Sequence, residues 1–260
     1  MAYTTEDIRN IALTGHSGAG KTTLVEMLLY KAGAIKDVGS VVRGTTVCDY
    51  EPQEKTRKHS MDSAIASMDY HGGHINLIDT PGYPDFSGRA LAILPAVETC
   101  AVVVNAQAGI ELMTHKMMQA AAERVLDRLI IINKIDLPDM DPAGLLANIR
   151  DTFGKECLPL NLPAENGKKV LDCFFQSRGE KTDFSSVAEA HTHIVDQVIE
   201  LDENLMTLYL EQGEAITPEQ LHDPFEAALR AGHLIPVCFV SAATGAGIGE
   251  LLEIFARLMP

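Results

Sequence analysis

Short apolar runs alternate with amphipathic stretches along most of the chain. The run IRNIALTG predicts a strand, and KTTLVEMLLYKAG predicts a helix that stops at Gly33. SAIASMDY and HINLID flank Gly72-Gly73 and predict a tight hairpin. CAVVVNA, RLIIIN and LIPVCFVS predict further strands, and helices are predicted over about 112–126, over about 142–153 and in IGELLEIFARLM. Apolar strands with helices between them favour an α/β fold, a mainly parallel sheet with helices on both faces.

The stretch 155–233 departs from this alternation. LPLNLPAENGKKVLDCFF predicts two short strands around a polar turn, and an apolar stripe predicts a long helix over about 187–212. TPEQLHDPFEAALRAG predicts a short capped helix and a second helix that ends at Gly232. We interpret 155–233 as an α+β insertion subdomain beside a main domain formed by 1–154 and 234–260.

Composition limits the class of protein. The 260 residues are 46% apolar and 22% charged, enough for one large domain or a domain with an insertion. The apolar runs are too short to cross a bilayer and the start lacks a signal peptide, so we expect no membrane partner and a cytoplasmic location. The net charge of −15 argues against sequence-specific DNA binding.

Cysteine and histidine patterns do not favour a metal-thiolate or disulfide framework. The five cysteines are widely spaced and contain no C-x-x-C pair. His71 and His74 flank a turn, and His191 and His193 begin a predicted helix, but neither pair has further ligands at metal spacing. We therefore expect no zinc site.

A phosphate-binding motif follows the first predicted strand and opens the first helix. GHSGAGKT fits G-x-x-x-x-G-K-[ST], in which glycines let successive N–H groups wrap an oligophosphate at a helix N-terminus. Lys21 is expected to reach the β- and γ-phosphates, and Thr22 to ligate Mg²⁺. The motif predicts a nucleoside triphosphate. The predicted nucleotide-binding residues here are Gly15, His16, Ser17, Gly18, Ala19, Gly20, Lys21, Thr22 and Thr23.

A second motif, DTPGYPDF, stands directly behind the apolar stretch INLI. Asp79, at the predicted strand end, is expected to hold Mg²⁺ directly or through a water. Gly82 offers a backbone N–H for the γ-phosphate.

Two further segments, NKID and SAATGAG, are expected to select the base. The carboxylate of Asp136 in NKID can accept from both the ring N–H and the exocyclic amine of guanine, whereas adenine would leave it unpaired. Asn133 is expected to tie the base loop together, and the Lys134 stem to cover one face of the ring. In SAATGAG, Ser241 and the backbone N–H of Ala242 are placed for the guanine carbonyl. The predicted cofactors are therefore GTP or GDP with Mg²⁺.

Together, these segments resemble the translational GTPases, and specifically the G domain of elongation factor G. TTVCDYEPQEKTRKHS resembles the first switch of that family, and DTPGYPDF resembles its D-T-P-G-H-x-D-F. LPLNLP and LDENLMTLYLEQGEAITPEQL resemble its extra subdomain. The resemblance implies a P-loop GTPase fold, GTP hydrolysis and a ribosome partner. Family members continue with further C-terminal domains that this chain does not include, and we expect a monomer.

The chain departs from the family pattern in its first switch, where Lys58 and His59 also make the loop more basic, and at Tyr83 in the second motif. Ser60 stands where the family has its metal-binding threonine, so a hydroxyl ligand for Mg²⁺ is retained. Tyr83 replaces the histidine that orients the attacking water, and RKHS replaces R-G-I-T. A neutral phenol cannot take over the electrostatic role of an imidazole, so we expect a low intrinsic, ribosome-stimulated rate. The predicted catalytic residues are Lys21, Gly82 and Tyr83.

Two alternatives stay open from the sequence. One is a non-hydrolysing or very slow GTP-sensing switch, which Tyr83 and Ser60 favour. The other is a related translational GTPase that serves ribosome rescue, drug protection or peptide release.

Overall fold

The computed structural model describes residues 3–202, 205–207, 209 and 217–260. The strands are β1 (Ile8–Gly15), β2 (Ala64–Tyr70), β3 (Gly73–Asp79), β4 (Thr99–Asn105), β5 (Asp127–Asn133), β6 (Cys157–Pro159), β7 (Asn161–Ala164), β8 (Lys169–Asp172) and β9 (Ile235–Val240). The helices are α1 (Lys21–Lys31), α2 (Pro52–Arg57), α3 (Ser87–Ile93), α4 (Leu112–Glu123), α5 (Pro142–Phe153), α6 (Val187–Ile199), α7 (Pro218–Arg230) and α8 (Ile248–Arg257).

Seven strands form one sheet in the order β2-β3-β1-β4-β5-β9-β6. Every neighbouring pair is parallel except β2 with β3. The inner strands β4 and β9 are buried almost throughout, whereas the edge strand β2 alternates buried and exposed positions. Continuous apolar runs are typical of strands that are covered on both faces, and alternating apolar and polar residues are typical of a strand with one solvent-exposed face. The predicted α/β fold class is confirmed.

The core lies in two layers, one on each face of the sheet. Along β4, Ala101 and Val103 belong to one apolar cluster, and Val102 and Val104 belong to the other. Helices α1, α6, α7 and α8 supply the first cluster, and α3, α4 and α5 supply the second. Successive side chains of a strand point to opposite faces, so both layers rest on the same strands. None of the helices among the described residues is long and apolar enough to span a membrane.

The hairpin between β2 and β3 turns one residue earlier than the Gly72-Gly73 pair predicts. Tyr70 pairs with Gly73, so the turn consists of His71 and Gly72, both with positive φ (48° and 89°). Two positive φ angles match the twist of a two-residue hairpin turn, and Gly73 is already the first residue of β3.

The stretch 155–233 contains one strand more than the sequence predicts. β7 and β8 form the expected two-stranded hairpin, but β6 pairs in parallel with β9 at the edge of the main sheet. Helix α6 ends at Ile199, earlier than the prediction of one helix over 187–212. The Asp202 carboxylate accepts from Leu205 N at 3.0 Å, which starts a new turn there. Positions 203–204, 208 and 210–212 of the predicted helix lie outside the described residues.

Helix α7 is continuous, where the sequence predicts two helices. Pro224 lies inside it, at a position that costs a helix roughly 3 kcal/mol or more. Leu221, Phe225 and Ala228 are buried at intervals of three and four residues. Burial of this apolar stripe offsets the cost of the proline.

Candidate nucleotide-binding site

The predicted site residues lie at the carboxyl edge of the parallel sheet. Strands β1, β3, β5 and β9 end in the phosphate loop, DTPG, NKID and SAATGAG respectively. These four strands are brought together by the order β3-β1-β4-β5-β9. Segments far apart in sequence therefore share the edge where open α/β sheets bind ligands.

The phosphate loop joins β1 directly to α1. Gly15 has φ +124°, and a Cβ there would overlap the Val103 carbonyl oxygen of β4, so the close approach requires glycine. Lys21 begins α1 and is buried, and its Nζ donates to Gly15 O and to His16 O, each at 3.1 Å. Burial lowers the pKa of Lys21, while the Asp79 and Glu111 carboxylates oppose that shift. The ammonium is thus held under the loop that is predicted to carry phosphate.

Polar side chains from three segments meet beside the loop. Thr22 Oγ1 donates to Asp79 Oδ2 at 2.5 Å and lies 3.3 Å from Ser60 Oγ. Ser60 Oγ in turn donates to Asp49 Oδ1 at 3.4 Å. Burial raises the pKa of Asp79 to about 6, opposed by Lys21 and by the Thr22 hydrogen bond. The structure thus brings the three predicted metal-side residues together.

The donor set at this point fits a hard divalent cation. Asp79 Oδ1 is buried and has no hydrogen-bond partner among the described residues, although its other oxygen accepts from Thr22. Such an atom is costly unless something binds it. Mg²⁺ takes carboxylate and hydroxyl oxygens together with substrate phosphates rather than a cage of protein ligands. No cluster of three or more His, Cys, Asp or Glu side chains suited to a metal occurs in the described part of the chain.

A cleft of about 220 Å³ opens over the loop. The peptide of Gly82 lies against the loop, because Gly82 O accepts from Ser17 N at 3.0 Å and a Cβ on Gly82 would lie 2.6 Å from Ser17 N. Tyr83 follows at the rim and is 40% exposed. The predicted residues that line the cleft are Ser17, Gly18, Gly20, Lys21, Thr22, Thr23, Ser60, Gly82, Tyr83 and Lys134.

Asn133 is the hub of the base-binding end. It ends β5, is 1% exposed, and its Nδ2 donates to Ala19 O of the phosphate loop at 2.9 Å. Its Oδ1 accepts from Lys134 N at 2.8 Å and from Ala242 N at 3.0 Å. One buried amide therefore joins the phosphate loop, NKID and SAATGAG.

Asp136 and Ser241 face each other at this end. Ser241 Oγ donates to Asp136 Oδ1 at 2.5 Å, and Thr244 N donates to Ser241 Oγ at 3.1 Å. Lys134 has φ +70° and lines the phosphate cleft, so its stem runs from the base loop toward the phosphate loop. These contacts orient the Asp136 carboxylate before any ligand arrives.

The sequence motifs missed the residues that hold the first-switch segment, residues 34–63. Glu26 is buried and accepts from Gly39 N at 2.7 Å and from Val47 N. Glu54 is buried and accepts from the backbone N–H groups of Met61 and Asp62 at 2.8 and 3.1 Å. A glutamate in an amphipathic sequence is typical of a solvated face, so nothing local to these positions signals the role. Asp49, Val41, Lys58 and His59, which no motif assigned to the site, also line the cleft.

Comparisons with known proteins agree with this geometry. A family model described as "Elongation factor Tu GTP binding domain" matches residues 6–260. The chain is 36% identical to an elongation factor G-like protein of Mycobacterium tuberculosis (strain CDC 1551 / Oshkosh), over 97% of this chain and 37% of that protein. It is 31% identical to peptide chain release factor 3 of Streptococcus pneumoniae (strain P1031), over 97% of this chain and 50% of that protein. The chain thus spans half or less of the length of these relatives.

A solved structure is similar over nearly the whole chain. A crystal structure of a protein from Thermus thermophilus superposes with a TM-score of 0.86 at 35% identity, covering 97% of this chain and 40% of that one. The family match confirms the predicted guanine-nucleotide ligand class and the predicted resemblance. The chain belongs to the elongation factor Tu GTP-binding domain family.

Proposed function

We propose that this chain binds GTP with Mg²⁺ and hydrolyses it to GDP and phosphate, as the G domain of an elongation factor G-like translation factor that acts on the ribosome. The observation that carries the proposal is the continuous set of contacts from Ser60 through Thr22 to Asp79, beside the buried Lys21. These contacts couple the first-switch segment, the phosphate loop and DTPG at one point, which a γ-phosphate and its metal can bridge.

The nucleotide is held at both ends. The loop from Gly15 to Gly20 offers backbone N–H groups at the start of α1, and Lys21 supplies a cation for the β- and γ-phosphates. Asp136 accepts from the guanine edge, and Ser241 keeps that carboxylate oriented. Hydrogen bonds that only guanine satisfies give the selectivity, because another base leaves the carboxylate unpaired.

Thr22, Ser60 and Asp79 are the residues that would hold Mg²⁺. When bound, the metal neutralises charge that develops on the β- and γ-phosphate oxygens during phosphoryl transfer. Asp79 would contribute its buried oxygen, which has no partner among the described residues. Thr22 and Ser60 would contribute their hydroxyl oxygens as the other protein ligands.

Hydrolysis requires a water aligned with the γ-phosphate. Gly82 and Tyr83 line the cleft, and the proposal puts that water beside them. A phenol can hydrogen-bond a water but contributes no imidazole, so we expect slow intrinsic hydrolysis and acceleration on the ribosome. Similarity to proteins named elongation factor G-like in M. tuberculosis, and in Thermotoga maritima at 30% identity over 95% of this chain, supports the translation assignment.

The division of the chain follows the same proposal. Residues 1–154 and 234–260 form the GTP-binding unit and 155–233 an inserted subdomain. The β7–β8 hairpin, α6 and α7 lie in the insertion, although β6 within the same range pairs with β9 of the main sheet.

The test is single-turnover hydrolysis of labelled GTP at saturating protein, with and without ribosomes, for the native protein and for Tyr83→His. Strong acceleration of the native protein by ribosomes is the expected result and makes it a ribosome-dependent GTPase. Binding of GTP without hydrolysis in either condition would overturn the proposal.

A second candidate function is a GTP-sensing switch that hydrolyses GTP negligibly. The observation that favours it is Tyr83, which is 40% exposed at the cleft rim where the family has a histidine. The nucleotide that co-purifies with the protein distinguishes the two candidate functions, because a switch that does not hydrolyse GTP retains GTP whereas a working GTPase retains GDP. Hydrolysis by the Tyr83→His variant but not by the native protein would also support the non-hydrolysing switch.

A further inference from the structure

At the proposed γ-phosphate end of the cleft, the predicted residue Tyr83 contacts a histidine that the sequence did not assign to the site. The His59 ring lies 4.6 Å from the Tyr83 ring, centroid to centroid, at an interplanar angle of 70°, and 6.4 Å from the Phe86 ring. His59 and Tyr83 both line the cleft, together with Lys21 and Gly82. An imidazole from the first-switch segment and a phenol from DTPGYPDF therefore stand edge to face beside the predicted γ-phosphate position.

The imidazole of His59 has a ring nitrogen that the described structure leaves unused. Nδ1 is buried and has no hydrogen-bond partner among the described residues. An unpaired buried polar atom costs about 1–3 kcal/mol, so its presence calls for an explanation. A neutral imidazole carries one donor and one acceptor nitrogen, which is what a residue needs in order to orient a water.

Competing acceptors in the cleft are already engaged. The hydroxyls of Thr22 and Ser60 and the carboxylate of Asp49 contact one another at 3.3 and 3.4 Å. Among the described lining residues outside the phosphate loop and the first turn of α1, Asp49 and Ser60 already share a hydrogen bond, whereas His59 carries a buried nitrogen without a partner.

We propose that His59 is a catalytic residue that accepts a hydrogen bond from the attacking water, and that Tyr83 positions it through the ring contact. This inference rests on the GTP hydrolysis proposed above. In the step, the water oxygen bonds to the γ-phosphorus while the bond from that phosphorus to the β–γ bridging oxygen breaks. The products are GDP and inorganic phosphate, and the water proton passes to the phosphate, so the imidazole is unchanged.

The test separates the effect of an aromatic ring at position 59 from the effect of its ring nitrogens. His59→Phe keeps an aromatic ring against Tyr83 and removes both nitrogens, and His59→Gln restores a donor and an acceptor without a ring. His222→Phe is the matched control, since His222 is an exposed histidine on α7 outside the cleft. Single-turnover hydrolysis of GTP, with and without ribosomes, is measured beside the dissociation constants for GTP and GDP.

We expect His59→Phe to slow hydrolysis about 100-fold or more, within the range of about 10²- to 10⁴-fold for a positioned acid–base group, with both affinities unchanged. His59→Gln should regain part of the rate, and His59→Phe combined with Tyr83→His should exceed His59→Phe alone, because an imidazole returns to the same cleft. A His59→Phe protein as fast as the native one would overturn the inference while the proposed function stands. A native protein that binds GTP but never hydrolyses it would overturn both.

Discussion

The two ends of the nucleotide site are built in different ways. At the base end, Asn133 closes β5 and Ser241 follows β9, and both are essentially buried. Their contacts to Ala19, Asp136 and Ala242 start from strand ends that the sheet holds in place. The proposed recognition of guanine therefore rests on the most regular part of the molecule.

At the γ-phosphate end, the first-switch segment is irregular apart from the six-residue helix α2. Its course depends on side chains that accept from backbone N–H groups, chiefly Glu26 from α1 and Glu54 within the segment. Arg89 of α3 also donates to Met61 O at 3.0 Å and pairs with Asp62 at 2.6 Å. A few polar contacts, with Cys48 as the buried apolar residue of the segment, hold Ser60 and His59 over the phosphate loop.

The difference predicts that base selection and hydrolysis are separable in this protein. Changes at strand ends should alter affinity for every guanine nucleotide. Changes in the first-switch segment should alter the response to the γ-phosphate more than the affinity for GDP, because GDP lacks the γ-phosphate that this segment is proposed to contact.

The largest effect is expected at the base end. Asp136→Asn replaces an acceptor with an amide that presents a donor to the guanine edge, so affinity for both GDP and GTP should fall about 100-fold or more. Titration with fluorescent GDP measures this. Asp139→Asn, on an exposed aspartate of the same loop, is the matched control. Equal affinity in the Asp136 and Asp139 variants would contradict guanine recognition by Asp136.

Next in size is the loss of a contact that holds the first-switch segment. Glu54→Ala leaves the N–H groups of Met61 and Asp62 without their acceptor, so the free energy of unfolding should fall by about 2 kcal/mol. Faster amide exchange at those two residues and slower GTP hydrolysis should accompany it, with GDP affinity unchanged. Chemical denaturation and hydrogen exchange measure these effects, with Gln53→Ala on the exposed side of α2 as control. Weaker GDP binding by the Glu54→Ala variant would contradict the predicted separation of base selection from hydrolysis.

A smaller effect is expected at the metal side. Ser60→Ala removes the hydroxyl beside Thr22 Oγ1, so the affinity for GTP with Mg²⁺ should fall about 10-fold, or about 1.4 kcal/mol. GDP affinity should not change. The ratio of the two dissociation constants, measured at fixed Mg²⁺, checks this. A parallel loss for GDP would show that Ser60 acts on the loop rather than on the γ-phosphate and its metal.

The smallest effect lies at the opposite end of β5. Burial raises the pKa of Asp127 to about 6, opposed by Arg230, and Asp127 Oδ1 has no partner among the described residues. The unfolded carboxyl ionises near pH 4, so the folded state keeps its proton longer. Asp127 therefore lowers the free energy of unfolding as the pH rises from about 4 to about 6, and the penalty persists at neutral pH.

Asp127→Asn should accordingly raise the free energy of unfolding at pH 7.5 by about 1 kcal/mol, within a ceiling of about 3 kcal/mol at 1.36 kcal/mol per pKa unit. Denaturation at pH 4.5 and 7.5 checks the sign, because the gain should shrink at the lower pH. Nucleotide affinity should stay the same, since Asp127 begins the strand that Asn133 ends. A stability gain of the same size at both pH values would contradict the buried-carboxylate explanation.

The sequence by itself determined the sheet, the ligand class and the contiguous parts of the site. Gly15 to Thr22 form one loop between a strand and a helix, so their order along the chain is also their order in space. Asp79, Asn133 and Ser241 each end or follow an apolar run, and parallel strands place such ends at one edge.

Only the tertiary structure decided how the hydrolysis end is assembled. Asp49, Glu54 and His59 lie in the stretch that resembles a first switch, and Glu26 lies in α1, but the sequence predicted none of their contacts, because these depend on partners in an irregular segment. The same holds for β6, a three-residue strand that is recognised only by its pairing with β9. The local sequence pattern determines helices and strands. In a segment with few helices or strands, long-range polar contacts determine the path of the chain instead. In this protein, the resulting path brings His59 against Tyr83.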